Sequence, residues 1–191
     1  IKEILTNGAD RVSINTAAIN DREFIKEAVK IFGSSTITIT IETLKVGEKY
    51  EVYTDSGRTE TNIDVFEWIK LVQDLGVGEI ILTSINNEGT GRGFDLSLYE
   101  HASELCSIPL LAHGGIGNPE DACKLFKSTN IDGIIIASAF HFNYYKELID
   151  YKKIPLQGST DFLTSRNYNN KFFFSIKDLK KYLKSKNIKI R

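Results

Sequence analysis

The segment TITITIE, residues 36–42, decides the fold. Ile37, Ile39 and Ile41 alternate with Thr38 and Thr40, the two-residue period of a strand whose two faces differ in polarity. The other strand candidates, Arg11–Asn15, Glu79–Ser84, Pro109–His113 and Gly133–Ser138, are apolar nearly throughout, as parallel strands covered on both faces are. A strand with a hydroxyl-bearing face among such neighbours fits a closed barrel, where inward residues can be polar if they line a cavity. The threonines then point into the barrel and the isoleucines outward against helices.

Helical patterns with readable ends lie between these strands. Asn20 or Asp21 caps a helix whose apolar face carries Phe24, Ile25, Ala28, Val29 and Phe32, with Gly33 as its stop. Asn62 opens a second, with Phe66, Ile69 and Val72 on one face and Gly76 at its end. Ser97–Cys106 and Pro119–Phe126 are the third and fourth. The βα alternation runs without a linker to about Tyr144, so an α/β fold in one domain over residues 1–191 is expected. Two stretches depart from the rhythm. Val46–Gly57 reads as a β-hairpin inserted after the second strand. Residues 143–171 read as an irregular insertion before a last helix, Ile176–Lys186. The tail from Lys171 to Arg191 holds eight basic residues and one acid. It reads as a solvated helix face with Leu179 and Leu183 packed inward, the alternative being a site for an anionic partner.

Composition removes whole classes of function. With 24 Lys and Arg against 25 Asp and Glu, the net charge of −1 creates no field to draw in nucleic acid. No apolar run reaches the roughly 18–20 residues that cross a bilayer, and Asp132 interrupts Ile131–Ala139, so a soluble protein is expected. Cys106 and Cys123 are too few for a disulfide framework and point to a reducing cytoplasm. The chain opens at Ile1, without Met or a signal-like segment, and is expected to be trimmed or a fragment.

Residue types change abruptly where the strands end. Asn15, Thr16, Glu42, Ser84, the loop Glu88-Gly89-Thr90-Gly91-Arg92-Gly93, His113-Gly114-Gly115 and Ala137-Ser138 all fall at or just after a strand, where α/β enzymes bind ligands. Gly114, Gly115, Gly117 and Asn118 before a Pro119 helix start would leave backbone N–H groups free for a phosphate, with Ala137 and Ser138 completing the cradle. The alternative is that these glycines only make a tight turn. Asn15-Thr16 fits a phosphate contact or a helix-capping turn equally well. Glu42 closes an apolar strand, where a carboxylate is costly unless it is solvated in a cleft or transfers protons. His113 is a hydrogen-bonded turn residue, a general acid or a phosphate contact. The histidines have no metal-ligand spacing, so no metal site is indicated. Ser84 and Ser138 lack a nucleophile-elbow motif, and neither Cys shows an activating one.

The segments GADRVSINTAAIN (8–20), IFGSSTITITIE (31–42), GVGEIILTSINNEGTGRGFD (76–95), LLAHGGIG (110–117) and DGIIIASAFHF (132–142) together resemble the HisF family, the cyclase subunits of imidazole glycerol phosphate synthase. The resemblance runs to about Phe142 and resumes at residues 175–191. It implies a (βα)8 barrel, of which this chain holds strands four to eight, so that isolated cyclase activity is not expected.

The implied reaction uses ammonia from a HisH-type glutaminase partner and no cofactor. A bis-phosphorylated ribonucleotide, the phosphoribulosyl formimino carboxamide ribonucleotide, becomes imidazole glycerol phosphate and aminoimidazole carboxamide ribotide. By this resemblance Glu42 is the catalytic fifth-strand acid, where the family has Asp; the extra methylene moves the carboxylate by about 1.5 Å. Asn15 and Thr16 match one phosphate cradle, while Gly89, Gly114, Gly115, Ala137 and Ser138 match the other, with Ser84 kept from the sixth-strand motif. At the opposite face Asp10 matches a residue that docks the glutaminase, and Arg11 and Glu79 match a charged ammonia gate. His113 stands where a small Ser is common. Glu42, His113 and the 143–171 segment also fit a HisF-like paralogue that supplies ammonia for amidinating a surface sugar. A third reading is a non-catalytic barrel that docks the glutaminase.

Overall fold

The computed structural model describes residues 1–147 and 174–190. A short helix α1 (Lys2–Thr6) leads to β1 (Val12–Ile14), followed by α2 (Thr16–Asn20) and α3 (Arg22–Phe32). Strand β2 (Ile37–Val46) continues into β3 (Lys49–Thr54) and β4 (Thr59–Asp64), and then come α4 (Val65–Asp74) and β5 (Glu79–Ser84). The remaining elements are α5 (Leu96–Leu105), β6 (Leu110–His113), α6 (Pro119–Ser128), β7 (Gly133–Ile135), α7 (Ser138–Glu147) and α8 (Ile176–Ser185).

Strands β1, β2, β5, β6 and β7 pair in that order, all parallel, each returning through helices. Sequential parallel strands with helical crossovers are the arrangement of part of a (βα)8 barrel, as the sequence implied. Strand β2 shares one edge between two neighbours. Its lower residues Ile37–Ile39 pair with β1, and its upper residues Glu42–Val46 pair antiparallel with β3. The hairpin strands thus stand above the end of β1, at the rim where the parallel strands terminate.

The two-residue period sorts the side chains as expected. Ile37, Ile39 and Ile41 are fully buried, with Ile80, Leu82, Leu110 and Ala112 on the same outer side, against Ile25, Trp68, Ile69, Leu98 and Leu125 of the helices. Each such large side chain contributes about 1.5–3 kcal/mol on burial. The opposite, luminal face carries hydroxyls and charges. Ser13 Oγ shares a hydrogen bond with Thr40 Oγ1, and Thr38 Oγ1 donates to Glu79 Oε1 at 3.2 Å.

The structure corrects several boundaries. The strand expected over Thr36–Glu42 runs on to Val46, so β2 itself is one arm of the hairpin and the insertion extends to Asp64. The following helix is not capped by Asn62, which sits within β4 at a left-handed φ of 56°. Asp64 caps it, accepting from the amides of Phe66 and Glu67 at 2.9 and 3.1 Å. The last parallel strand ends at Ile135 rather than Ser138, because Ser138 already opens α7. That helix takes in 143–147, the start of the expected irregular insertion; the rest of the insertion, up to 171, lies outside the described residues.

Among the described residues no helix is long and apolar enough to cross a membrane.

Candidate functional site

The ends of β5, β6 and β7 surround a cleft bordered by Glu88, Gly89, His113, Gly115, Ala137 and Ser138. Its walls are built by backbone. Gly93 N–H donates to Gly115 O at 2.8 Å, and Asn87 Nδ2 donates to Gly93 O at 2.8 Å, which pins the β5–α5 loop to the end of β6. The approach demands glycine. Gly115 has a φ of 106°, and a Cβ there would stand 2.1 Å from Gly93 O; at Gly114 it would stand 2.9 Å from Ser84 O.

The helix that offers free amides to this cleft is not the one the sequence suggested. At α6, Asn118 Oδ1 accepts from Glu120 and Asp121 N–H, while Asp121 Oδ2 accepts from Gly117 and Asn118 N–H. This capping box consumes the amides of Gly117 and Asn118, two of the donors expected to remain available. At α7 the N–H of His141 reaches back to Ala137 O at 3.0 Å, so the amides of Ser138, Ala139 and Phe140 precede any intrahelical acceptor. Ala137, Ser138 and Ala139 border the cleft, which sets the positive end of α7 and a hydroxyl at its edge. Ser138, expected at the end of the strand and as part of the cradle, opens this helix instead.

Ser84 is placed differently from the other candidates. It lies on the outer side with Ile80 and Leu82, 1% exposed, and does not border the cleft. Its carbonyl, accepting from Asn87 and Glu88 N–H, anchors the loop instead.

Glu42, half-buried, projects to the luminal side, and Gly57 N–H donates to its Oε2 at 2.9 Å. At the end of β1, Thr16 Oγ1 accepts from Asp55 N–H at 3.2 Å, and Asn15 Oδ1 is buried without a hydrogen-bond partner among the described residues. One turn, Asp55-Ser56-Gly57, therefore touches candidate residues on β2 and at the start of α2. All three of its residues have positive φ, at 55°, 61° and 74°. Nothing in the hydrophobic pattern announces that contact; TDSG reads only as a turn.

Across the luminal face, register aligns Glu42 with Thr83 and Thr83 with His113. Thr83 Oγ1 lies 3.1 Å from His113 Nδ1, and the buried phenol of Tyr99 donates to His113 O at 2.6 Å. Thr83 was not singled out in the sequence; counting in twos from Glu79 reaches it. Burial pushes the Tyr99 phenol well above its usual range, so it stays a donor.

At the amino-terminal face, Arg11 Nη1 pairs with Glu79 Oε2 at 2.5 Å, and Asp10 is exposed beside it. Arg11 is 53% exposed while Glu79 is only 15% exposed, so the pair lies at the lower mouth of the luminal face, partly screened by water. Among the described residues no group of three or more His, Cys, Asp or Glu could hold a metal ion.

The chain spans about 56–64% of the length of the curated relatives it matches. It is 42% identical to the imidazole glycerol phosphate synthase subunit HisF of Thermococcus onnurineus (strain NA1), over 82% of this chain and 64% of that protein. It is 44% identical to the subunit of the same name from Bacillus cereus (strain G9842), over 73% of this chain and 56% of that protein. The family described as histidine biosynthesis protein matches residues 1–146, a span that holds all five parallel strands and both rims of the luminal face, and the chain belongs to that family.

Proposed function

We propose that this chain supplies strands four to eight of the cyclase of an imidazole glycerol phosphate synthase, with the fifth-strand acid and both phosphate cradles, and that ring closure needs the complete eight-stranded barrel. The observation that carries the reading is the placement of Glu42 on the luminal face, between a cleft at β5–β7 and the Asn15-Thr16 end of β1. A substrate with a phosphate at each end would seat one on the α7 amides, Gly89, Gly115 and Ser138, and the other at Asn15 and Thr16. Its central carbons would then lie over Glu42. A carboxylate so placed serves as the acid–base group that closing an imidazole ring requires, taking a proton from one nitrogen and returning it to a leaving group. The unpartnered Asn15 Oδ1 is consistent with a contact that a ligand completes.

The same reading assigns the lower face to a HisH-type glutaminase. Asp10 would dock it, and the Arg11–Glu79 pair would gate entry of ammonia to the hydroxyl-lined lumen formed by Thr38, Thr40 and Ser13.

Calorimetric titration tests the two-ended geometry. A bis-phosphorylated ribonucleotide should bind at least tenfold more tightly than a monophosphorylated one, since each end adds charge-assisted hydrogen bonds of about 1.5–3 kcal/mol. Equal affinities would refute the two-cradle arrangement. Ammonia-dependent conversion of the bis-phosphorylated compound by the complete eight-stranded barrel, followed by appearance of aminoimidazole carboxamide ribotide, tests the chemistry itself, while these 191 residues alone should show no turnover. The rival, ammonia supply for amidinating a surface sugar, has the bulk of the His113 imidazole in the cleft in its favour; it predicts no ring closure from that compound.

A further inference from the structure

The imidazole of His113 is held from two sides before any ligand arrives. Thr83, 3% exposed, engages Nδ1 at 3.1 Å, and Tyr99 fixes the carbonyl of the same residue at 2.6 Å. Thr83 Oγ1 is able to donate to Nδ1 or to accept from it; the donating arrangement leaves the ring proton on Nε2, the nitrogen with no partner among the described residues. The ring borders the cleft together with Gly115 and Ser138. A donor already held in place by its neighbours loses little freedom when a ligand binds.

We propose that His113 is a ligand-contacting residue of this cleft, its Nε2–H donating to an oxygen of a bound phosphate monoester, with Thr83 as the positioning residue that sets the tautomer. The inference rests on the cleft being an anion site. Carboxylates around the cleft include Glu88 on its rim and Glu42 on the far side of Thr83. Both oppose an anion, and a donor inside the cleft offsets them.

Ring nitrogen NMR shifts, recorded while the full chain is titrated with inorganic phosphate and with ribose 5-phosphate, test this directly. Nε2 of His113 should move with saturation while Nδ1 moves little. His113→Phe should weaken phosphate by about tenfold, one hydrogen bond to a charged group. His113→Gln, which restores an N–H donor at similar reach, should stay within about threefold of wild type. Thr83→Val should shift the two ring nitrogens toward each other by mixing tautomers, an effect that a packing role would not produce. An unmoved Nε2 at saturating phosphate overturns the proposal even if a variant fails to fold. So does wild-type affinity in His113→Phe while Ser138→Ala is weakened, an outcome that leaves the anion cleft intact. Absence of phosphate binding by wild type overturns the cleft and this inference together.

Discussion

Replacing Gly115 by alanine separates what the double glycine does for the fold from what it does for a ligand. A φ of 106° is outside the region an L-residue adopts readily, and holding one there costs about 1–3 kcal/mol. The added Cβ would also stand 2.1 Å from Gly93 O, a backbone atom, so the β5–α5 loop must move away. That movement breaks the 2.8 Å bond from Gly93 N–H to Gly115 O and strands both groups, at about 1–3 kcal/mol. Alanine also restricts the unfolded chain, which returns at most about 1 kcal/mol. The net loss is about 1–6 kcal/mol, or a fall in Tm of roughly 2–24 °C for a chain of this size. Gly89→Ala is the matched control. Its φ of 68° is also left-handed, but no atom lies within 4 Å of a Cβ there, so only about 1–2 kcal/mol is at stake. Thermal unfolding followed by circular dichroism measures both. If Gly115→Ala lowers Tm no more than Gly89→Ala, the close backbone approach does not organise this rim. A corollary is that bulky substitution at Gly115 cannot report on phosphate binding, because it reports on folding first.

Ser138→Ala is the cleaner probe of binding, since it removes a hydroxyl at a helix start on the cleft edge. Phosphate affinity should fall roughly ten- to a hundredfold while Tm changes little, and unchanged affinity by calorimetry would take the hydroxyl out of the site. Glu42→Gln keeps an oxygen to accept the Gly57 N–H, so in the complete eight-stranded barrel ring closure should be abolished with ligand affinity within a few fold; retained kcat would contradict the acid–base assignment. Arg11→Ala should cost at most about 1 kcal/mol in urea unfolding because the guanidinium is half in water, and a larger loss would mean that Glu79 is more isolated than the 15% exposure indicates. Burial, reinforced by Asp132, pushes the Cys106 thiol up to about 12. A raised pKa keeps the folded thiol protonated, so the associated stability is complete below the unfolded thiol's range and is lost as pH climbs from there toward 12. Native Cys106 should consequently resist a thiolate-specific reagent at pH 8 and react promptly in denaturant, and equal rates would show that the thiol is not held neutral.

The parts of the fold visible in the sequence are those set by local period. The alternation in residues 36–42 assigned isoleucines and threonines to opposite faces, and Pro119 after Asn118 marked a helix start that the structure keeps. What the sequence hid depends on contacts distant along the chain. Whether Asn62 or Asp64 caps α4 was decided by where β4 pairs with β3, since an antiparallel partner draws residues 59–64 into extended backbone. Which helix leaves its amides free was decided by Asp121, a side chain inside α6 that satisfies the amides before it. The candidate residues themselves were legible as strand ends. Their partners were not, because Gly57 for Glu42, Asp55 for Thr16 and Thr83 for His113 come from other strands or turns.

The turn that joins β3 to β4 has a length it cannot easily change. Hairpin tips at a surface are ordinarily where insertions and deletions accumulate. Here the tip is held at both ends, by Thr16 at Asp55 and by Glu42 at Gly57. One added residue would put Asp55 and Gly57 out of reach of their partners together. Absorbing it in the strands instead would turn Glu60 to the other face of the sheet from Tyr53. Variation among natural versions of this protein should therefore leave the spacing from Thr54 to Thr59 fixed and fall instead at the Gly47-Glu48 end of the same hairpin, which no candidate residue touches.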